Sequence, residues 1–155
     1  MTYRISASAH SSADRDALFA QITDLGRLPQ WNRAITEVIV APDAPLRSGS
    51  IWKVKVHAMG RSWVSRSEAC VVDKAGGRFA YRSQSDDGNP SYAVWEWQLE
   101  PSAEGTRVTM SVDLEPLTFW RRHLLVHLRR PALQREMRAS LDALVRNVVT
   151  AGLSL

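Results

Sequence analysis

The last quarter of the chain sets the strongest constraint on its fold. Between Pro131 and Gly152 the large apolar residues fall at Leu133, Met137, Leu141, Leu144 and Val148. Those steps of four, four, three and four draw one apolar stripe along a helix. Pro131 fits a first helical turn, where a missing N–H is harmless, and Gly152 fits a stop. A helix with a single apolar face needs a surface to lie on. Residues 35–114 read as short alternating strands, so a curved antiparallel sheet is the surface on offer.

From the N-terminus, Tyr3, Ile5, Ala7 and Ala9 alternate with Arg4, Ser6 and Ser8 as a first strand. Ser11 or Ser12 is placed to cap a following helix that buries Leu18, Phe19 and Ile22. In residues 24–31, Pro29 starts a second short helix anchored by Trp31. Six strands follow: residues 36–40; a strand around Trp52, Val54 and Val56; residues 61–73; a strand around Phe79 and Tyr81; a strand carrying Ala93, Trp95, Trp97 and Leu99; and a strand carrying Val108, Met110, Val112 and Leu114. Their short turns imply an antiparallel meander. The expectation is one α+β domain over residues 1–155: two short helices after strand one, and a seven-stranded curved antiparallel sheet wrapped around a long C-terminal helix.

A net charge of +4 and a pI of about 9.7 raise nucleic acid or anionic membrane as partners. The bases are concentrated, however, at Arg121, Arg122, Arg129, Arg130, Arg135, Arg138 and Arg146. A solvated helix face accounts for them, with peripheral contact to an anionic membrane as the alternative. Nucleic acid is not expected, because the aromatic residues of strand three oppose its lysines rather than interleaving with them. No apolar run reaches membrane-spanning length, and no apolar signal block opens the chain. The lone Cys70 rules out an internal disulfide and fits the cytoplasm. Monomer and homodimer are both open. There is no phosphate-cradling glycine loop, paired CxxC or nucleophile elbow.

His123 and His127, four apart, would share a helix face. That spacing can bind a metal, but the intervening Leu-Leu-Val lacks the glutamate of zinc-protease helices, so no metal is assigned. His57 is a candidate acid or base near a rim. Among six tryptophans, Trp31, Trp52, Trp95 and Trp97 sit at inward positions. Either they fill a solid core or they line a pocket, where aromatics mix with a few polar groups.

The segment 24–31, the strand Trp95-Glu-Trp-Gln-Leu-Glu-Pro101 and the run Gly105-Thr-Arg-Val-Thr109 carry a resemblance to the START-like (SRPBCC) superfamily and its helix-grip fold. The chain most resembles the polyketide cyclase/dehydrase and lipid transport branch, over almost its whole length. The resemblance implies a deep cavity between sheet and helix that holds a hydrophobic or aromatic small molecule. It further implies cofactor-free acid/base chemistry of a polyketide cyclase, aromatase or dehydratase; the alternative is a non-catalytic carrier of a lipid, quinone or polyketide-like ligand. The expected lining is Trp31, Trp52, Val54, Tyr81, Trp95, Trp97, Met110, Met137 and Leu141.

Strand four has two possible faces. If Cys70 and Val72 point inward, as the resemblance indicates from Phe79 across the turn, Arg66 and Glu68 share that face. Arg66 would then polarise a ligand carbonyl, Glu68 act as base and Tyr81 donate a hydrogen bond. The opposite register buries Trp63, Ser65, Ser67 and Ala69 and leaves the charges in water; a bulge permits either. The first register is the one adopted here. Residues 117–130 are expected to form a separate gate at the mouth.

Overall fold

The computed structural model of the chain describes residues 3–58, 60–88, 90–115 and 126–153. The alternating segments form seven strands: β1 (Tyr3–Ser11), β2 (Ile35–Val40), β3 (Ile51–Ala58), β4 (Arg61–Asp73), β5 (Arg78–Ser85), β6 (Tyr92–Ser102) and β7 (Gly105–Glu115). They make one antiparallel sheet in the order β1-β7-β6-β5-β4-β3-β2. Successive strands from β2 to β7 pair with their neighbours, and only β1 crosses over, to lie against β7. Helix α1 (Arg15–Thr23) and a 3₁₀ turn (Leu25–Gln30) connect β1 to β2, and α2 (Val126–Leu153) packs against the sheet, mainly over β1. This is the expected helix-grip arrangement.

Local details differ from expectation for identifiable reasons. The cap of α1 is Asp14, whose carboxylate accepts from the Ala17 N–H at 2.7 Å. The helix begins at Arg15, too far on for Ser11 or Ser12 to cap it; Ser11 accepts instead from the Ala13 N–H at 3.1 Å. Pro29 lies inside the 3₁₀ turn rather than at its start. Helix α2 already runs from Val126 and passes through Pro131. Proline has no N–H to give, so residue 127 loses an intrahelical bond there, and Pro131 is not the first turn. Nor does Gly152 stop the helix, which continues to Leu153. Residues 116–125, including His123, lie outside the described residues, as do the side chains of His127 and Val148. The rest of the expected gate is part of α2.

The stripe on α2 is buried through Leu133, Met137, Leu141 and Leu144, as its spacing requires. Behind it, Trp31 and Trp97 meet edge to face with centroids 5.5 Å apart. Helix α2 also closes one edge of the sheet. Gln134 Nε2 donates to the Ser6 carbonyl at 3.0 Å and Arg138 Nη1 to the Ser8 carbonyl at 2.7 Å, occupying acceptors that an edge strand otherwise exposes. Arg130, Arg135 and Arg146 are exposed along the same helix.

On the convex face Arg78 donates to both Glu96 oxygens, at 3.1 and 3.3 Å, and Gln98 Nε2 adds a bond of 2.6 Å. The Arg78 hydrogen bonds hold the Glu96 carboxyl below its ordinary value. A carboxylate so depressed stabilises the fold above its unfolded pKa of about 4.3, and that contribution disappears as pH falls through the lower folded value. Urea melts of Glu96→Gln should therefore show a deficit of about 0.5–1 kcal/mol at pH 7 that closes in acid.

A two-sided cavity under the C-terminal helix

Pairing across the sheet puts residues from separate strands into rows on its concave face. One row runs Ile5, Val112, Trp95, Tyr81 and Ala69; the next runs Leu114, Ala93, Ser83, Ser67 and Trp52. Between these rows and α2 lies a cavity of about 460 Å³. Its size falls in the usual range for a small-molecule site, roughly 300–1,000 Å³.

One side is aromatic. Tyr81 and Trp95 face each other across β5 and β6, with rings 6.4 Å apart and within 16° of parallel. Trp52 meets Tyr81 edge-on at 5.2 Å, and the fully buried Phe79 supports Tyr81 from behind at 5.3 Å. Offset and edge-to-face arrangements are the favoured ones for aromatic pairs. Met110, Leu114, Leu133 and Met137 complete the apolar surface. The Tyr81 ring is partly exposed along the cavity, while burial pushes its phenol well above the ordinary value. A hydrogen bond with Trp97 opposes that shift only in part. Tyr81 is therefore a protonated donor at neutral pH.

The other side is a wall of hydroxyls. Ser67 pairs with Ser83 and Ser65 with Ser85, and Ser91 extends the group. Ser65 and Ser83 hydrogen-bond to each other at 2.6 Å. Each hydroxyl donates once and accepts twice, so the cluster keeps capacity for a ligand oxygen. Asn32 and, from α2, Ser140 and Glu136 add further polar groups. Arg61, Trp63, Gln84, Tyr92 and Glu115 line the end of the cavity where β4 and β6 begin and β7 ends.

Arg66 and Glu68 are not in this cavity. Both are exposed on the convex face, and the register adopted from the sequence is wrong there. The cause is a bulge. Ala69 pairs with Tyr81 but Val71 pairs with Ala80, so Cys70 is an extra residue that reverses the alternation. Val72 opposite Phe79 does point inward, yet before the bulge the inward set is Ala69, Ser67, Ser65 and Trp63. A guanidinium and a carboxylate on the convex face cannot touch a ligand in the cavity. Cys70 is exposed. His57 also faces outward, with Nδ1 2.8 Å from Ser62 Oγ.

Of the residues expected to line a pocket, Trp52, Val54, Tyr81, Trp95, Met110 and Met137 do so. Trp31, Trp97 and Leu141 do not; each is sealed in the core beside the wall, with 1% exposure or less. The serines were legible in part, since Ser83 and Ser85 stand two and four residues after Tyr81 on the same face. Glu136 carried a weaker signal, lying between Leu133 and Met137 at the flank of the apolar stripe. Among the described residues no group of His, Cys, Asp and Glu is arranged to hold a metal, and no helix is long and apolar enough to cross a membrane.

The profile of the family described as polyketide cyclase/dehydrase and lipid transport matches residues 2–149. No curated protein sequence matches the chain. Three solved structures are similar over nearly the full length. The aromatase/cyclase Zhui from Streptomyces sp. R1128 has a TM-score of 0.76 at 16% identity, covering 96% of this chain and 94% of that one. TTHA0849 from Thermus thermophilus has 0.75 at 21%, covering 96% and 99%. A norcoclaurine synthase point mutant from Thalictrum flavum, in complex with a transition state analogue, has 0.72 at 13%, covering 98% and 97%. At these identities the likeness is one of fold.

Proposed function

The chain belongs to the polyketide cyclase/dehydrase and lipid transport family, and on that footing we propose that its cavity binds a planar aromatic molecule with oxygen atoms along one edge. The two-sidedness of the lining carries this reading. Trp95 and Tyr81 offer a flat surface for the rings, and the hydroxyls of Ser67, Ser83, Ser65 and Ser85 are set to meet carbonyl or phenol oxygens beside it. A ligand lacking those oxygens would strand the hydroxyls from water without replacing their bonds, which opposes binding. A cyclase or aromatase acting on such a molecule needs this recognition, and so does a carrier of it. The difference between them lies in whether a proton is moved once the ligand is bound.

Intrinsic tryptophan fluorescence reads binding directly, because Trp52 and Trp95 are cavity residues. Titration with 2-naphthol should quench or shift the emission at lower concentration than naphthalene, and palmitate should act weakest. Replacing Ser67 and Ser83 together with alanine should weaken 2-naphthol by about 10-fold, corresponding to one or two net hydrogen bonds of about 1 kcal/mol each. Naphthalene should be unaffected. A chain that responds to none of the three, or that loses naphthol and naphthalene equally in the double variant, would remove the basis of this reading.

A further inference from the structure

A cavity that moves protons needs a group that can take one up and can touch the ligand. Most of the lining does not qualify. Serine, asparagine and glutamine side chains are poor proton acceptors, the Arg61 guanidinium carries donors and no acceptor, and Tyr81 keeps its proton. Among the described lining residues this leaves two carboxylates, Glu115 and Glu136. Glu115 ends β7 at one end of the cavity, opposite Tyr92. Glu136 comes from α2, half-buried between the buried Leu133 and Met137. The sheet contributes hydroxyls, aromatic faces and, at one end, Glu115; the helix contributes Glu136. A ring stacked on Trp95 with its oxygen against the serines therefore lies with α2 over it.

We propose that Glu136 is the general base of the cavity and that its substrates are aryl ketones or phenols in their enolisable form. The Glu136 carboxylate takes a proton from the carbon next to the ligand carbonyl. The electrons of that C–H bond move into the enolate, and the charge on its oxygen is received by hydrogen bonds from the serine hydroxyls and Tyr81. The Glu136 carboxyl then returns the proton to the same carbon or to a neighbouring position, which regenerates the carboxylate. No oxidant, reductant or metal enters the balance. The assignment rests on the ligand-binding role proposed for the cavity, deepening it from binding to chemistry.

The probe is 2-tetralone, an aromatic ketone with exchangeable protons beside its carbonyl. Its hydrogen–deuterium exchange in heavy water is followed by proton NMR, while its binding is followed separately by tryptophan fluorescence. The protein should accelerate exchange over buffer. Glu136→Gln should lose about 100-fold of that acceleration, within the range for a positioned base, while fluorescence still reports binding. Glu136→Asp should recover part of it, which distinguishes a lost base from a disturbed fold. Glu68→Gln, on the convex face, should exchange at the parent rate. If tetralone binds but exchange is no faster than in buffer, or if Glu136→Gln exchanges like the parent, the assignment is overturned and the chain is a binder without this chemistry. If tetralone does not bind, the ligand-binding reading itself fails, and the assignment with it.

Discussion

Trp97→Ala is expected to lower folding stability by about 3–5 kcal/mol, the range for emptying a large aromatic site in a packed core. Trp97 is 1% exposed, meets Trp31 edge to face at 5.5 Å and bonds the Tyr81 hydroxyl. Its removal opens a void that the rigid sheet behind it cannot collapse to fill. Trp95, two residues earlier on the same face, makes the informative contrast. Its ring already borders empty space, so Trp95→Ala deletes contacts on one side only and should cost about 1–2 kcal/mol, close to simple loss of apolar burial. The ranking for ligand affinity should reverse. Trp95→Ala removes the stacking surface, whereas Trp97→Ala, once corrected for stability, should leave the cavity wall largely in place. Urea melts of both variants beside 2-naphthol titrations decide the matter. Equal stability losses would show that the boundary between core and wall is misplaced.

Gly105→Ala should cost about 2–4 kcal/mol, combining about 1–2 kcal/mol of backbone strain with a steric conflict of similar size. The residue sits at φ +137°, in the left-handed half of conformational space. A Cβ there would run into the Ser11 carbonyl oxygen and come within 2.9 Å of the Ser12 backbone. That backbone has little freedom to retreat. Ser11 pairs with Thr106, whose hydroxyl donates to the Ala13 carbonyl at 2.9 Å, so the β6–β7 turn is fastened to the junction of β1 and α1. Thermal melts should show a fall in Tm of about 5–15 °C for a chain of this size. Gly26→Ala is the matched control, with nothing within 4 Å of its added carbon, and should melt close to the parent. A Gly105→Ala protein melting with the parent would mean that the turn and the β1–α1 junction are not in contact.

The architecture was legible because its signals are periodic and redundant. Trp52 and Val54 alternating with lysines, Val108 through Val112, and the Leu133–Leu144 stripe each repeat one choice several times, so single exceptions do not mislead. The site was legible only where it borrowed that periodicity. Trp52, Tyr81 and Trp95 line the cavity because they sit on inward strand positions. Trp31 and Trp97 also sit inward but where the concave face is filled, and no local pattern separates a cavity wall from the packed core beside it. Arg66 and Glu68 failed for a different reason. Strand direction was carried backward from Phe79 through the β4–β5 turn, and the step at Cys70 breaks the count. Helix ends were the least readable, since Pro131 and Gly152 both look like boundaries, yet α2 runs through both.

The extra residue at Cys70 acts on β4 much as an inserted base acts on a reading frame. On one side of it, the strand is phased so that Ser65 and Ser67 face the cavity; on the other, Val72 faces Phe79. In a strand that kept Cys70 without the step, these two phases could not coexist. Deleting Cys70 alone would restore a regular strand with both phases kept, because Ala69, Val71 and Val72 would then follow one another as in, out and in; moving the step to the other side of Ser65 would instead turn the hydroxyl wall out to solvent and Arg66 and Glu68 in. In related chains, the chemistry of this wall would thus follow from where the step falls along β4 as much as from which residues the strand contains.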